Sequence, residues 1–276
     1  MKERLDVLLV QSGLVSSRDR AKRLIMAGLV TVDGRVEDKA GQKFDVDADI
    51  ALKEDPCRYV SRGGLKLEKA IGAFGLDFTG CICMDMGAST GGFTDCMLQN
   101  GAARVYAVDV GYGQLDYRLR VDERVVNIEK TNIRYLDTSL IRDPIDFVTI
   151  DVSFISVRHM FPVACKVLKP DGEIISLIKP QFEAGREEVG KKGIVRDPAV
   201  HVDVINKVIG YADECGLYPV GLTWSPITGT KGNIEYLIHL KRKDAGCSDA
   251  REAAEIAAVA EISPSAVVSL AHEELE

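Results

Sequence analysis

The sequence predicts a doubly wound α/β sheet preceded by a small α+β module, and three observations lead there. From Leu65 to Lys243 helical and strand-like patterns alternate, a glycine loop joins the first strand of that series to its helix, and the first 55 residues carry a separate, complete pattern of their own. These patterns divide the chain into a module at 1–55, a linker at 56–64, a core domain at 65–243 and a tail at 244–276. With 276 residues, 46% of them hydrophobic and 28% charged, there is enough material for one sizeable core and a second small one.

Composition removes several function classes. No run approaches the roughly 18 apolar residues of a membrane span, and the start "MKERLDVLLVQSG" lacks the apolar stretch and cleavage site of a signal peptide. A cytoplasmic location without stable membrane association is therefore expected. The seven cysteines are an odd number without a C-x-x-C pair, and the four histidines are scattered, so neither a disulfide frame nor a metal site is expected. Net charge is −7, but the tail from Asp244 holds eight acidic residues against one basic residue, Arg251. Residues 1–243 balance, which leaves room for local basic clusters that meet nucleic acid.

In the first module, "RLDVLLVQSG" predicts an amphipathic helix stopped by Gly13. "SSRDRAKRLIMAG" predicts a second helix, with Ser16 and Asp19 spaced as a capping box and Gly28 as its stop. "LVTVDGRVE" reads as two strands around an Asp33-Gly34 turn, and a polar strand-like stretch ends near Leu52. Arg18, Arg20, Lys22 and Arg23 would suit a solvated helix face, yet a basic helix that leads into a hairpin also makes a phosphate-contacting surface. "EDPCRYVSRGG" reads as the linker because Pro56 and the glycine pair interrupt regular structure.

In the core domain, strands are predicted in "CICMDMG", "ARVYAVDVG", "RVVNIEKTNI", "IDFVTIDVSF", "EIISLIKP", "LYPVGLTWSPI" and "IEYLIHLKRK". Helices are predicted in "LKLEKAIGAFG", "GGFTDCMLQNG", "VRHMFPVACKVLKPDG" and "AVHVDVINKVIGYADECG". The tail's "AREAAEIAAVAEI" reads as an acidic helix, peripheral or disordered.

"MDMGASTGGFTD" places Gly87, Gly91 and Gly92 at the first strand's end, where a backbone must approach a ligand. About 20 residues on, Asp109 ends the second strand, where a carboxylate can take both ribose hydroxyls of an adenosine. A dinucleotide site would need a second glycine where Ser89 stands, to admit a pyrophosphate. Its loss favours a cofactor without phosphates, such as S-adenosylmethionine.

Four charged residues are costly where the pattern places them. Lys66 lies in the first turn of a helix, against the dipole; Asp151 and Lys179 end apolar strands; Glu235 opens the last strand after "TGTKGN". Each has an ordinary surface reading, but strand carboxyl ends in this architecture converge on one crevice. Two lysines and two carboxylates there would suit transfer of a methyl group from a sulfonium to an alcohol, with Lys179 as candidate base and the others positioning it and the substrate.

The pieces "RLDVLLVQSG" and "SSRDRAKRLIMAGLVTVDG", with Gly41, resemble the S-four-type RNA-binding module. By that resemblance Arg18, Arg20, Lys22 and Arg23 face structured RNA. From residue 3 to 243, "SRGGLKL", "MDMGASTGGFTD", "VDVGYGQL", "TIDVSFIS", "LIKPQFE", "GKKGIVRDP" and "GTKGNIEYL" together resemble the TlyA family, also labelled haemolysin A. The resemblance implies an FtsJ-like Rossmann-type methyltransferase domain behind the RNA-binding module. It also implies S-adenosylmethionine-dependent 2′-O-methylation of a ribose, a cytidine's, in the RNA of ribosomal subunits. The family's Lys-Asp-Lys-Glu tetrad falls on Lys66, Asp151, Lys179 and Glu235. Cofactor contacts carry over to Gly87, Gly91, Phe93 and Asp109, and Asn132 stands where related enzymes often have aspartate.

"GREEVGKKGIVRDP" is either a surface loop or a lid over RNA, with Lys191, Lys192 and Arg196 facing phosphates. Arg58 and Tyr59 are placed to sense docking of the first module. Two rivals remain: a small-molecule methyltransferase, which leaves the basic module idle, and a membrane-active haemolysin, which the lack of a signal, a span or a strong amphipathic basic helix leaves with little support.

Overall fold

The computed structural model describes residues 2–15, 17–53, 58–243 and 263–275. They fall into two compact units, Met1–Arg58 and Tyr59–Glu276.

In the first unit, β1 (Lys2–Arg4) runs directly into α1 (Leu5–Gln11), and α2 (Arg18–Met26) leads to the hairpin of β2 (Val30–Val32) and β3 (Arg35–Glu37). β4 (Lys43–Asp45) pairs with β1 and β5 (Ile50–Leu52) with β2, both antiparallel. Asp33 and Gly34 turn the hairpin with φ of 49° and 77°, the left-handed pair that a two-residue loop demands. Leu5, Leu9, Leu24, Ile25, Val30 and Val32 close the core. The residue that caps α2 is Ser17, whose hydroxyl accepts from Arg20 N at 3.3 Å. The cap thus lies one position beyond the predicted Ser16, which is outside the described residues.

One carboxylate is sunk into this unit. Asp6 has no exposed side-chain surface and is held by two guanidiniums, Arg4 Nε to Oδ1 at 2.9 Å and Arg18 Nη2 to Oδ2 at 2.8 Å. Arg18 is thereby aimed by a neighbour instead of lying free on its helix. The hydrogen bond from Arg4, seconded by Arg18 against the opposing effect of burial, holds the Asp6 carboxyl down at about 2.

The second unit opens with α3 (Gly63–Phe74) and continues through β6 (Ile82–Met86), α4 (Gly92–Gln99), β7 (Arg104–Val108), α5 (Tyr117–Arg120), β8 (Val125–Ile128) and β9 (Ile145–Ile150). α6 (Phe161–Val167), β10 (Leu168–Ile178), α7 (Pro180–Glu183), α8 (Pro198–Asp213), β11 (Leu217–Trp224), β12 (Tyr236–Arg242) and α9 (Pro264–Leu275) complete it. The seven strands lie in the order β11-β12-β10-β9-β6-β7-β8. β6 to β10 are mutually parallel, and β12 is inserted antiparallel between β10 and β11. This is a Rossmann-like sheet. The direction of winding reverses between β6 and β9, so their carboxyl ends open a crevice.

Three segments differ from expectation. Tyr59 and Val60, read as linker, are buried in the second unit, and Val60 N donates to Asp95 Oδ2 at 2.7 Å. Gly63 and Gly64 open α3, and Gly64 is needed because a Cβ there would enter the Tyr59 ring. α6 stops at Val167, five residues before the expected end, because Leu168 pairs with Ile145 and Pro170 suits a strand edge better than a helix interior. In the tail, Pro264–Leu275 forms a helix that buries Val268 and Ala271 in the core of the second unit. The predicted tail helix at 250–262 lies outside the described residues.

The Asp6 cluster yields a test in acid. A carboxylate depressed from about 3.8 to about 2 adds stability that is present above the unfolded value and is lost as pH falls through the folded one. Asp6→Asn is expected to cost on the order of 2 kcal/mol of stability at pH 7. The gap from wild type should narrow between pH 4 and 2, as read by denaturant melts across that range.

Candidate active site

Two lysine–carboxylate pairs stand at the carboxyl end of the sheet. Lys179, the residue after β10, reaches Asp151, the residue after β9, at 2.5 Å between Nζ and Oδ1, and donates to Ser153 Oγ at 3.0 Å. Lys66, in the opening of α3, donates to Glu235 Oε2 at 2.5 Å. Lys66, Lys179 and Glu235 are each at least nine-tenths buried. A buried ammonium is tolerable only when paired, and each has its own carboxylate.

The pairs are linked through α7. Gln181, two residues after Lys179, donates from Nε2 to Glu235 Oε1 at 3.4 Å. Proline at the first position of α7 stops β10 and starts the turn, which fixes the spacing between Lys179 and Gln181. Glu235 also depends on a residue without a side chain. A Cβ on Gly229 would occupy the space of its carboxylate.

The glycine loop sits beside these pairs. Gly87 has φ of 91°, and a Cβ there would lie 2.9 Å from the carbonyl carbon of Asp151, so the loop after β6 touches the strand end that carries Asp151. Beneath the loop, Asp85 of β6 accepts from Thr94 N at 2.9 Å and Thr94 Oγ1 at 2.7 Å, which ties α4 to the strand. Burial pushes the Asp85 carboxyl up to about 7, and the charge of Asp151 adds to the rise while the Thr94 hydrogen bonds oppose it.

Asp109, just past β7, accepts from Ser89 N at 2.8 Å on Oδ2 and from Gly111 N at 2.6 Å on Oδ1. A carboxylate offers about four lone-pair positions, so two stay open for a vicinal diol. Asn132 is exposed, and its Oδ1 caps the following turn by accepting from Arg134 N at 3.1 Å, which leaves the Nδ2 end for a ligand. Phe93 is 3% exposed and packs near Gly63, where it offers a ligand little surface and supports the loop from within.

Strain is confined to this end of the sheet. Among the described residues of the second unit, the non-glycine residues with positive φ are Ser89, Lys130, Phe154 and Lys231. They follow β6, β8 and β9 and precede the antiparallel β12, so all four stand at one edge. Phe154 is 90% exposed and packs against Phe182 at 5.0 Å between ring centroids. Its loop is held by Glu183, which accepts from Ser156 Oγ at 2.7 Å and Val157 N at 2.8 Å. Strained, solvent-facing aromatics collect at ligand sites.

The loop at 185–198 is tied down at its far end. Asn233 accepts from Val195 N at 3.1 Å and donates to Gly193 O at 3.0 Å, and the buried His201 ring contacts Val195 O at 3.0 Å. Residues 191 and 192 are exposed, as is Arg196. Arg4, Ser153, Phe154 and Gln181 were not singled out from the sequence. All four lie within motifs quoted above, but only the folded contacts distinguish them from their neighbours.

The FtsJ-like methyltransferase family matches residues 59–242, and the S4 domain matches residues 3–50. The chain is 55% identical over 240 residues to Bacillus subtilis YqxC, provisionally named an rRNA methyltransferase, across 87% of this chain and 85% of that one. It is 42% identical over 241 residues to Mycobacterium tuberculosis TlyA, named a 16S/23S rRNA (cytidine-2′-O)-methyltransferase, across 87% and 90% of the two chains. A solved Streptococcus thermophilus protein, provisionally described as a hemolysin, matches with a TM-score of 0.76 at 46% identity, across 99% of this chain and 96% of that one.

The Gly229 contact gives a test of the site's geometry. Gly229→Ala should displace the Glu235 carboxylate from Lys66 and lower the turnover number for methyl transfer about 100-fold, the size expected for a displacement near 1 Å. The melting temperature should stay within a few degrees of wild type, by calorimetry.

Proposed function

The chain belongs to the FtsJ-like methyltransferase family, with an S4 domain ahead of the catalytic unit, and from that premise we propose that it methylates the 2′-hydroxyl of a ribose in ribosomal RNA, at a cytidine, with S-adenosylmethionine as donor. The observation that carries the proposal is the pair of buried lysine–carboxylate contacts beside a glycine loop at the sheet's switch point.

The residues present fit that cofactor. Asp109 keeps lone pairs for a ribose diol, Gly87 and Gly91 expose backbone, Asn132 can meet the adenine edge, and Ser89 replaces the glycine that a pyrophosphate would need. Bound there, the cofactor would supply an electrophilic methyl group on a positively charged sulfur. The protein's own tasks are to hold the ribose oxygen in line with that methyl and to take the proton the hydroxyl loses. The Asp151–Lys179 pair would receive the proton that the ribose hydroxyl gives up on accepting the methyl group. Ser153 restricts the Lys179 side chain, and the Lys66–Glu235 pair sets the opposite wall. Exposed Phe154 offers a stacking face to the target base, as aromatic residues do in single-stranded RNA recognition.

The first unit serves as the RNA clamp. Arg18, Arg20, Lys22 and Arg23 lie on α2, and the Asp6 carboxylate sets Arg4 beside Arg18. Lys191, Lys192 and Arg196 provide further cations from the loop after α7. Among the described residues no helix is long and apolar enough to cross a membrane.

Ribose methylation mapped after incubation of the protein with labelled cofactor and ribosomal subunits tests the proposal, and label found on protein or small molecules alone overturns it. Lys179→Ala should bind S-adenosylmethionine as wild type does in calorimetry while transfer falls about 10²- to 10⁴-fold. Phe154→Ala should raise the KM for RNA about tenfold with cofactor affinity unchanged.

A further inference from the structure

Gln181 is a polar residue of the site that the chemistry above leaves without a task. One end of its amide is used, since Nε2 donates to Glu235 Oε1 at 3.4 Å. The other end is not: Oε1 is shut off from solvent and has no hydrogen-bond partner. Turning the amide over would set its carbonyl against the Glu235 carboxylate, acceptor to acceptor, so the orientation is decided by the neighbour. A buried acceptor left unsatisfied opposes folding, and a methionine or leucine would fill the same space without that penalty. The fold therefore gains little from a glutamine here, which directs attention to a ligand.

Phe182, the next residue, packs against the exposed Phe154. The orphan acceptor of Gln181 thus stands next in sequence to the ring that supports the exposed Phe154, two positions after Lys179. A base that stacked on Phe154 with its ribose at the lysine–carboxylate pairs would turn an edge toward Gln181. With Nε2 engaged, only an acceptor is on offer, and it matches a donor on that edge.

We propose that Gln181 selects the target base: its amide oxygen accepts a hydrogen bond from an exocyclic amino group, as on cytosine or adenine, and disfavours uracil and guanine, which carry a carbonyl oxygen at that place. The assignment rests on the reading of the chain as an RNA ribose methyltransferase. It goes further by naming the residue that chooses among nucleotides.

The test uses full-length protein and RNA in which the mapped target nucleotide is cytidine, uridine, or a pyrimidin-2-one ribonucleoside that lacks the amino group. Wild type should prefer cytidine over both by about 10- to 100-fold in kcat/KM, the range of one buried hydrogen bond. Gln181→Met should bring the three substrates within about threefold of one another, chiefly by losing activity on cytidine, with a melting temperature equal to or above wild type. The proposal is overturned if wild type treats the three alike, if Gln181→Met keeps the preference, or if Gln181→Met lowers all three rates equally, which would make Gln181 a support for Glu235. No transfer by wild type to any RNA would overturn the ribose-methylation reading itself, and the base assignment with it.

Discussion

Pairing of buried charge is the constraint on which the site depends. Lys66 and Glu235 are 169 residues apart in sequence, one in the helix before the first strand of the large sheet and the other at the start of the last strand, and they meet at 2.5 Å. Neither would be stable alone in that position, because an ion stripped of water needs an opposite charge close by. The same requirement binds Lys179 to Asp151 across neighbouring parallel strands. Gly229, Ser153 and Gln181 are placed by the geometry these pairs impose, and the glycine loop touches the strand end that carries Asp151.

Much of the fold was legible because hydrophobic period and strand length vary together along the chain. Alternating patterns after Leu65 give the strands and their helices, and the glycine loop marks the switch point. The boundaries that eluded sequence reasoning have tertiary causes. Tyr59 looks like linker until Gly64 is seen to make room for its ring, and Leu168 looks helical until its pairing with Ile145 pulls it into β10. The core-packed helix Pro264–Leu275 stands apart from the acidic stretch that drew attention in the tail, and its apolar face gains meaning only from the surface it covers.

The site was legible to the extent that a residue type was costly in its predicted place. A cation in the first turn of a helix and charges at the ends of apolar strands satisfy that condition, so Lys66, Asp151, Lys179 and Glu235 stand out from the sequence. Gln181 and Ser153 do not, since a glutamine or serine after a strand is ordinary. Arg4 and Asp6 stay hidden for another reason: an arginine and an aspartate two apart look like surface residues, and only the folded unit shows the carboxylate buried with Arg4 and Arg18 clasping it. Backbone strain at Ser89, Lys130, Phe154 and Lys231 has no signature in the amino-acid pattern at all. Its concentration at one edge of the sheet is nonetheless an independent pointer to the place where the protein meets its ligands.

The insertion of β12 between β10 and β11 has a consequence for the order in which the chain is made. Glu235 leaves the ribosome after every other charged member of the site, and the strand that follows it must enter between two strands already synthesised. Until it does, Lys66 lacks its carboxylate and β10 has an open edge. A nascent or prematurely terminated chain can therefore hold the glycine loop, Asp109, Asp151 and Lys179 and still lack the Lys66–Glu235 side of the candidate site. Completion of the sheet and onset of competence become a single late event.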